Sequence, residues 1–149
     1  MNRVLLIAML IHGLVTTCLA DETYLGKFST NPYATDSISN PNGVYGSEYS
    51  GNSVYNMYGQ YGSEYSNKSA FNPYATNAPK LYDKGGNYRG RLSTNPYDPD
   101  SISNPYGRYG SKYSPDSVNN EYGPGDRFRT DSPNNPFGEG MSIYSDDDG

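Results

Sequence analysis

The sequence predicts an irregular, β-type tandem-repeat array of about sixteen residues per unit, with a short β-solenoid as its ordered form and disorder as the alternative. Three observations lead there. A sixteen-residue pattern recurs through most of the chain. The mean hydropathy is −0.84 although 14% of the residues are aromatic, so the apolar content is carried by rings rather than by aliphatic side chains. Turn-forming residues abound, with 17 Gly and 11 Pro in 149 residues, which suits frequent changes of chain direction.

The first twenty residues read as a signal-peptide helix. Arg3 supplies a short positive region, Val4 to Val15 is an apolar run, and Cys18-Leu19-Ala20 ends in the small residue that a signal peptidase reads, so cleavage is expected after Ala20. The run is too short to span a bilayer, so no membrane span is expected in the mature chain. The expected location is outside the cytoplasm, periplasmic or extracellular. Val15-Thr16-Thr17-Cys18 loosely fits a lipidation site, which gives a lipoprotein anchored through Cys18 as the competing reading, although Thr17 is bulky for it.

Asp21 to Lys27 is a leader. Phe28 to Ala75 holds three repeat units, FSTNPYATDSISNPNG, VYGSEYSGNSVYNMYG and QYGSEYSNKSAFNPYA. Residues 76–91 keep the spacing but lose the motif, as a degenerate unit or linker. They end in Tyr88-Arg89-Gly90-Arg91, an echo of Tyr24-Leu25-Gly26-Lys27 that lies sixty-four positions, or four units, further on. Leu92 to Gly138 holds three more units, LSTNPYDPDSISNPYG, RYGSKYSPDSVNNEYG and the shorter PGDRFRTDSPNNPFG, and residues 139–149 form an acidic tail.

The six units share serine at the tenth place (Ser37, Ser53, Ser69, Ser101, Ser117, Ser132) and asparagine at the thirteenth (Asn40, Asn56, Asn72, Asn104, Asn120, Asn135). The sixth place is always aromatic. Asn104-Pro105-Tyr106-Gly107 reads as a tight turn, with Pro fixing φ, Asn capping its own backbone and Gly expected at positive φ. Ser114-Pro115-Asp116-Ser117 has the form of a helix start with no apolar face behind it, so one turn is expected. Tyr109 to Tyr113 alternates with period two, which predicts a strand of about five residues in each unit.

Beyond Ala20 the aliphatic residues are Leu25, Ile38, Val44, Val54, Leu81, Leu92, Ile102, Val118 and Ile143, too few for a conventional globular core. Stacked coils offer an ordered solution. Strands about 4.8 Å apart would align tyrosine, serine and asparagine in rows.

The same residues exclude several chemistries. After cleavage at Ala20 the chain has no Cys and no His, so disulfides, Cys/His zinc sites and Ser-His-Asp or Cys-His nucleophiles are not expected. Lysines and arginines are dispersed and the net charge is −5, which argues against a nucleic-acid surface. Asp98, Asp100, Asp116 and Asp131 recur near turns and read as caps rather than calcium ligands. Asp146 to Asp148 read as a solvated tail. Asn67-Lys68-Ser69 has the form of a glycosylation sequon. No catalytic residue, cofactor or metal is expected.

The order Asp-Ser-Ile/Val, Asn-Pro-Tyr-Gly and Tyr-Gly-Ser across Tyr24 to Gly138 resembles exported bacterial proteins with NPYDPDSISNPYGRYGS-type tyrosine-rich repeats. That resemblance implies export and a bacterial source, and no activity. Tyr45-Gly46-Ser47, Tyr61-Gly62-Ser63 and Tyr109-Gly110-Ser111 are more weakly similar to the sixteen-residue units of ice-nucleation proteins, without the Thr-x-Thr that follows there.

The expected function is that of an exported, non-enzymatic repeat protein with a structural or surface-interaction role. Its partner would be a cell-surface or matrix polymer, or further copies of itself. The expected contact row is the sixth-place aromatics, Tyr33, Tyr49, Tyr65, Tyr97, Tyr113 and Phe128. A binder of small ligands or ions, calcium or ice among them, is the alternative.

Overall fold

Within the repeat units, short-range turns follow one another without a break. In the computed structural model, which describes residues 21–147, the amide of Ser37 donates to the carbonyl of Ala34, Asn40 to Ser37, Gly43 to Asn40, Ser47 to Gly43, Ser50 to Ser47 and Ser53 to Ser50, all at 3.0–3.3 Å. Steps of three residues, with one step of four at Gly43 to Ser47, carry the chain from Ser37 to Ser53. The sixteen-residue period is thus a closed count of turns.

Polar side chains hold these turns. The hydroxyls of Ser37, Ser53, Ser101 and Ser117 each accept the amide two residues on, at 3.0 Å. Each thirteenth-place Asn makes two bonds. Asn104 accepts the Tyr106 amide through its side-chain oxygen and donates through Nδ2 to the carbonyl of Asp98, and Asn56, Asn72, Asn120 and Asn135 do the same in their units. Such local bonds satisfy the backbone without a neighbouring strand.

This is why the expected strand at Tyr109 to Tyr113 does not form. Gly107 accepts from Ser111, Ser111 accepts from Ser114, and the Tyr113 amide is taken by the Ser111 hydroxyl, so the amides that a ladder would need are committed locally. The turn at Asn104 to Gly107 and the single turn at Ser114 to Ser117 are present as expected. Gly107 is not at positive φ, a conformation that among the described residues is confined to Gly26, Gly86, Gly90 and Gly140. What Gly107 supplies is space, since a Cβ there would come within 3.1 Å of the Pro99 carbonyl.

The regular strands lie at and between the ends of the repeats. β1 (Glu22–Phe28) comes from the leader, β2 (Lys80–Tyr82) and β3 (Tyr88–Arg91) from residues 76–91, and β4 (Met141–Asp146) from the tail. They form one antiparallel sheet in the order β1-β4-β2-β3, and the described residues contain no helix. The signal-peptide helix and its cleavage site fall outside the described residues.

The core is small. Leu25, Leu81 and Ile143 from the sheet meet Ile38, Val54 and Ala70, which occupy the eleventh place of the first three units, together with Tyr61. The tenth-place serines of both triplets, Ser37, Ser53, Ser69, Ser101, Ser117 and Ser132, are fully buried. Period sixteen therefore places one apolar and one capping residue inward per unit.

The two triplets of units repeat each other's contacts. The Lys27 amide donates to Asp36 and the Ile38 amide to Lys27, as Arg91 does to Asp100 and Ile102 to Arg91. Gly26 and Gly90 sit at φ 88° and 94°, and a Cβ on either would strike the Asp36 or Asp100 carbonyl and the ring of Tyr45 or Tyr109. At the sheet's centre Leu81 lies opposite Ile143, with Lys80 opposite Tyr144 and Tyr82 opposite Ser142, so β2 and β4 meet around a local twofold. Six tyrosine rings follow that symmetry: Tyr45, Tyr24, Tyr144, Tyr82, Tyr88 and Tyr109, each 5.2–5.9 Å from the next.

Candidate contact surface

The six aromatics of the expected contact row all point outward. Tyr33, Tyr49, Tyr65, Tyr97, Tyr113 and Phe128 are 79–87% exposed. Their orientation follows from the turns. Each amide is held by the side-chain oxygen two residues earlier, from Asn31, Ser47, Ser63, Asn95, Ser111 and Asp126, which leaves the ring at the outer corner.

A second row was not anticipated. Tyr58, Tyr74, Tyr106, Tyr122 and Phe137, at the fifteenth place, are 88–96% exposed. Their amides are accepted by the thirteenth-place asparagines. The signal was present in the sequence as an aromatic two residues after each capping Asn, with Asn42 the exception in the first unit. Other tyrosines do not belong to the surface: Tyr61 and Tyr109 are buried, and Tyr24 and Tyr88 join the six-ring chain.

Open grooves lie between the two rows. Lys112, Tyr113, Asn119, Asn120, Glu121 and Tyr122 line one of about 520 Å³. Glu48, Tyr49, Tyr55, Asn56, Met57 and Tyr58 line its counterpart sixty-four positions earlier. A third groove is lined by Tyr122 and Phe128, so Glu121 and Tyr122 border both it and the first. Lys112 lies 5.2 Å from the centre of the Tyr113 ring and Arg127 5.0 Å from that of Phe128, which places charge beside the ring faces. Hydrogen bonding to Glu48 and Glu64, reinforced by their charge, raises the phenols of Tyr49 and Tyr65 above their ordinary value.

A separate apolar cavity of about 230 Å³ breaks the symmetry of the halves. Ile38, Val54, Tyr55, Phe71, Leu92 and Ile102 are among its walls. Tyr55 and Phe71 stand where the second triplet has Asn119 and Asn134. Those asparagines donate to the carbonyls of Ile102 and Gly110, and of Val118 and Gly125, tying adjacent units together. On the first triplet aromatic rings replace those ties.

The aspartates near turns have structural partners. Asp98 caps the Asp100 amide, Asp100 accepts the Tyr88 hydroxyl, Asp116 pairs with Arg89 and Arg108, and Asp131 with Arg129. Among the described residues no group of three or more His, Cys, Asp or Glu is placed to hold a metal ion. No described helix is long and apolar enough to cross a membrane. Asn67 accepts from both the amide and the hydroxyl of Thr76. Compared with known families, curated proteins and solved structures, the chain gives no match.

Proposed function

We propose that this chain is an exported, non-enzymatic repeat protein whose two outward aromatic rows bind a surface or an extended polymer. The exposure of Tyr33, Tyr49, Tyr65, Tyr97, Tyr113 and Phe128, together with the parallel fifteenth-place row, supports the reading. Exposing that much ring surface opposes solubility, and large contiguous aromatic patches mark interaction sites. Each ring offers a weak stacking face, and a partner that spans several units gains by avidity. An extended polysaccharide suits the adjacent grooves that share Tyr122, because aromatic rings, asparagine amides and carboxylates line them.

The ordered form proposed for the units is a short solenoid whose coils are wound from turns rather than strands. Scattering from residues 21–149 tests it. A compact chain gives a radius of gyration near ~14 Å and an unfolded one near ~37 Å. For binding, the measurement is depletion from solution by insoluble cellulose, chitin or peptidoglycan. Replacing Tyr97, Tyr106, Tyr113 and Tyr122 together by Ser should abolish depletion, and any one alone should weaken it a few-fold. Loss of all binding on a single replacement would indicate one discrete site instead.

The second reading, a small-ligand binder, draws on the apolar cavity beside Tyr55 and Phe71. Its size and lining suit one aromatic ring or a short alkyl chain rather than calcium. A rise in the thermal midpoint with benzene or a short-chain alkanol, lost in Val54→Phe, would favour it.

A further inference from the structure

The chain has two junctions between its halves, built alike, and only one of them is covalent. At the first, β2 turns into β3 through residues 83–87, the Leu92 amide donates to Pro79, and the Thr94 amide to Ala70. At the second, β4 pairs with β1, Phe28 lies opposite Met141, and the Thr30 amide donates to Pro133. Thr30 and Thr94 are sixty-four positions apart, and Ala70 and Pro133 both occupy the inward eleventh place of the third unit in their triplet. Where the first junction has its loop, the second has the Asp147 amide donating to the carbonyl of Asp21 at 3.0 Å.

Each half, 22–82 and 88–146, therefore ends in a strand that completes the other half's sheet. The closing strands β2 and β4 also pair with each other, through Leu81 and Ile143. Between the halves run the ion pair of Lys80 with Asp146 at 2.9 Å and the bond from Lys27 Nζ to Ser142 at 3.0 Å. None of these contacts requires that the two halves belong to one molecule.

We infer that the partner fitted by the β1–β4 junction is a second copy of this chain, and that two copies exchange halves, residues 22–82 of one closing on residues 88–146 of the other. Every strand pairing and core contact of the single chain is remade in the exchanged dimer. The one element that must change is the loop at 83–87. There the Gly86 amide donates to the Asp83 carbonyl, the Asn87 amide to the Asp83 carboxylate, and Gly86 sits at φ 81°. Loop conformation and chain concentration thus set the balance between single chain and dimer. This inference rests on the duplicated junctions and is independent of the aromatic rows.

Cross-strand disulfides test it in the full chain with Cys18→Ser. Thr23 lies opposite Ser145 across β1 and β4, at a separation suited to a disulfide. The double variant Thr23→Cys/Ser145→Cys should form an intramolecular bridge in dilute solution, which reports that the junction forms. Chains carrying only Thr23→Cys and chains carrying only Ser145→Cys are then denatured, mixed and refolded together at high concentration. Exchange yields a linked dimer well above the level given by either variant refolded alone, and removal of Lys84 to Gly86 raises that yield several-fold. The inference is overturned if the double variant fails to bridge, or if it bridges while the mixture gives no excess of linked dimer with or without the shortened loop. A cysteine-free check uses light scattering. The chain lacking Lys84 to Gly86 should run at twice the monomer mass, and a monomer there would also overturn it.

Discussion

Tyr24 and Tyr88, sixty-four positions apart, make the same bond: each hydroxyl donates to an aspartate twelve residues on, Tyr24 to Asp36 at 2.9 Å and Tyr88 to Asp100 at 3.0 Å. Each ring also stacks edge-on against a second-place tyrosine, Tyr45 or Tyr109. Tyr24→Phe or Tyr88→Phe keeps the ring contact and removes the donor from a part-buried carboxylate. Each should cost about 1.5–3 kcal/mol in urea unfolding, the range for bonds to charged groups. The pair should be additive, because the two sites share no partner.

The same pair gives an alkaline prediction. Burial and the neighbouring aspartates raise both phenols well above the ordinary value of about 10. A raised phenol keeps the folded state protonated, so its contribution is complete below pH 10 and is lost as pH climbs towards the folded value. Following tyrosinate absorbance should show a late phase coincident with unfolding, and that phase should shrink in Tyr24→Phe/Tyr88→Phe.

At the thirteenth place only an amide serves. Asn104 accepts from the Tyr106 amide and donates to Asp98, and an aspartate there could do only the first. Asn104→Asp should therefore destabilise by about 1–3 kcal/mol and Asn104→Ser by a similar amount, since neither keeps the long donor bond. The comparison is made by thermal melts at pH 7, and equal stability of Asn104→Asp and wild type would remove the clamp from the account.

How much of this was legible in the sequence depends on the kind of residue. The turns at Asn104 to Gly107 and Ser114 to Ser117 were legible because Asn, Ser and Pro act on their own backbone. The sixth-place row was legible as a pattern. The period-two run at Tyr109 to Tyr113 misled because alternation records only side-chain type, while Ser111 captures the amide that a strand would need. The sheet was hidden for a different reason. β1 and β4 are joined across almost the whole described chain, and the echo of Tyr24 to Lys27 in Tyr88 to Arg91 marks β1 and β3 without pointing to β4. The symmetry-breaking cavity was equally hidden, since Tyr55 and Phe71 differ from Asn119 and Asn134 without disturbing the repeat.

Tyr-Gly-Ser carries a packing requirement. In Gly46, Gly62 and Gly110 the missing Cβ makes room for the carbonyl of Asn40, Asn56 or Asn104. Gly110→Ala drives a methyl into backbone that the Asn104 clamp already fixes, so relief requires the turn itself to shift. A loss of about 1–3 kcal/mol is expected from such overpacking, whereas Gly51→Ala, with open space around it, should be close to neutral or slightly stabilising.

Acid should loosen the hairpin that joins the halves. Arg89 lies between Asp83, at 2.9 Å, and Asp116, at 3.0 Å, and Asp83 is almost wholly enclosed. Burial opposes the charge on Asp83, but bonds from the Asn87 amide and side chain and from Arg89 outweigh it and hold the carboxyl below its ordinary range. Asp116 is lowered chiefly by its bond from Arg108, against a smaller opposing effect of burial, with the charges of Arg108 and Arg89 adding to it. A lowered folded value means that the unfolded chain binds protons first. The stabilisation is therefore complete above the ordinary carboxylate value of about 3.9 and is lost as pH falls through the folded values. The thermal midpoint should drop steeply below about pH 4. Arg89→Gln should lower the midpoint at neutral pH, by the equivalent of ~3 kcal/mol for an enclosed pair that loses one partner, and should flatten the acid limb. A variant that lost stability at pH 7 but kept the full wild-type acid slope would assign that slope to other carboxylates.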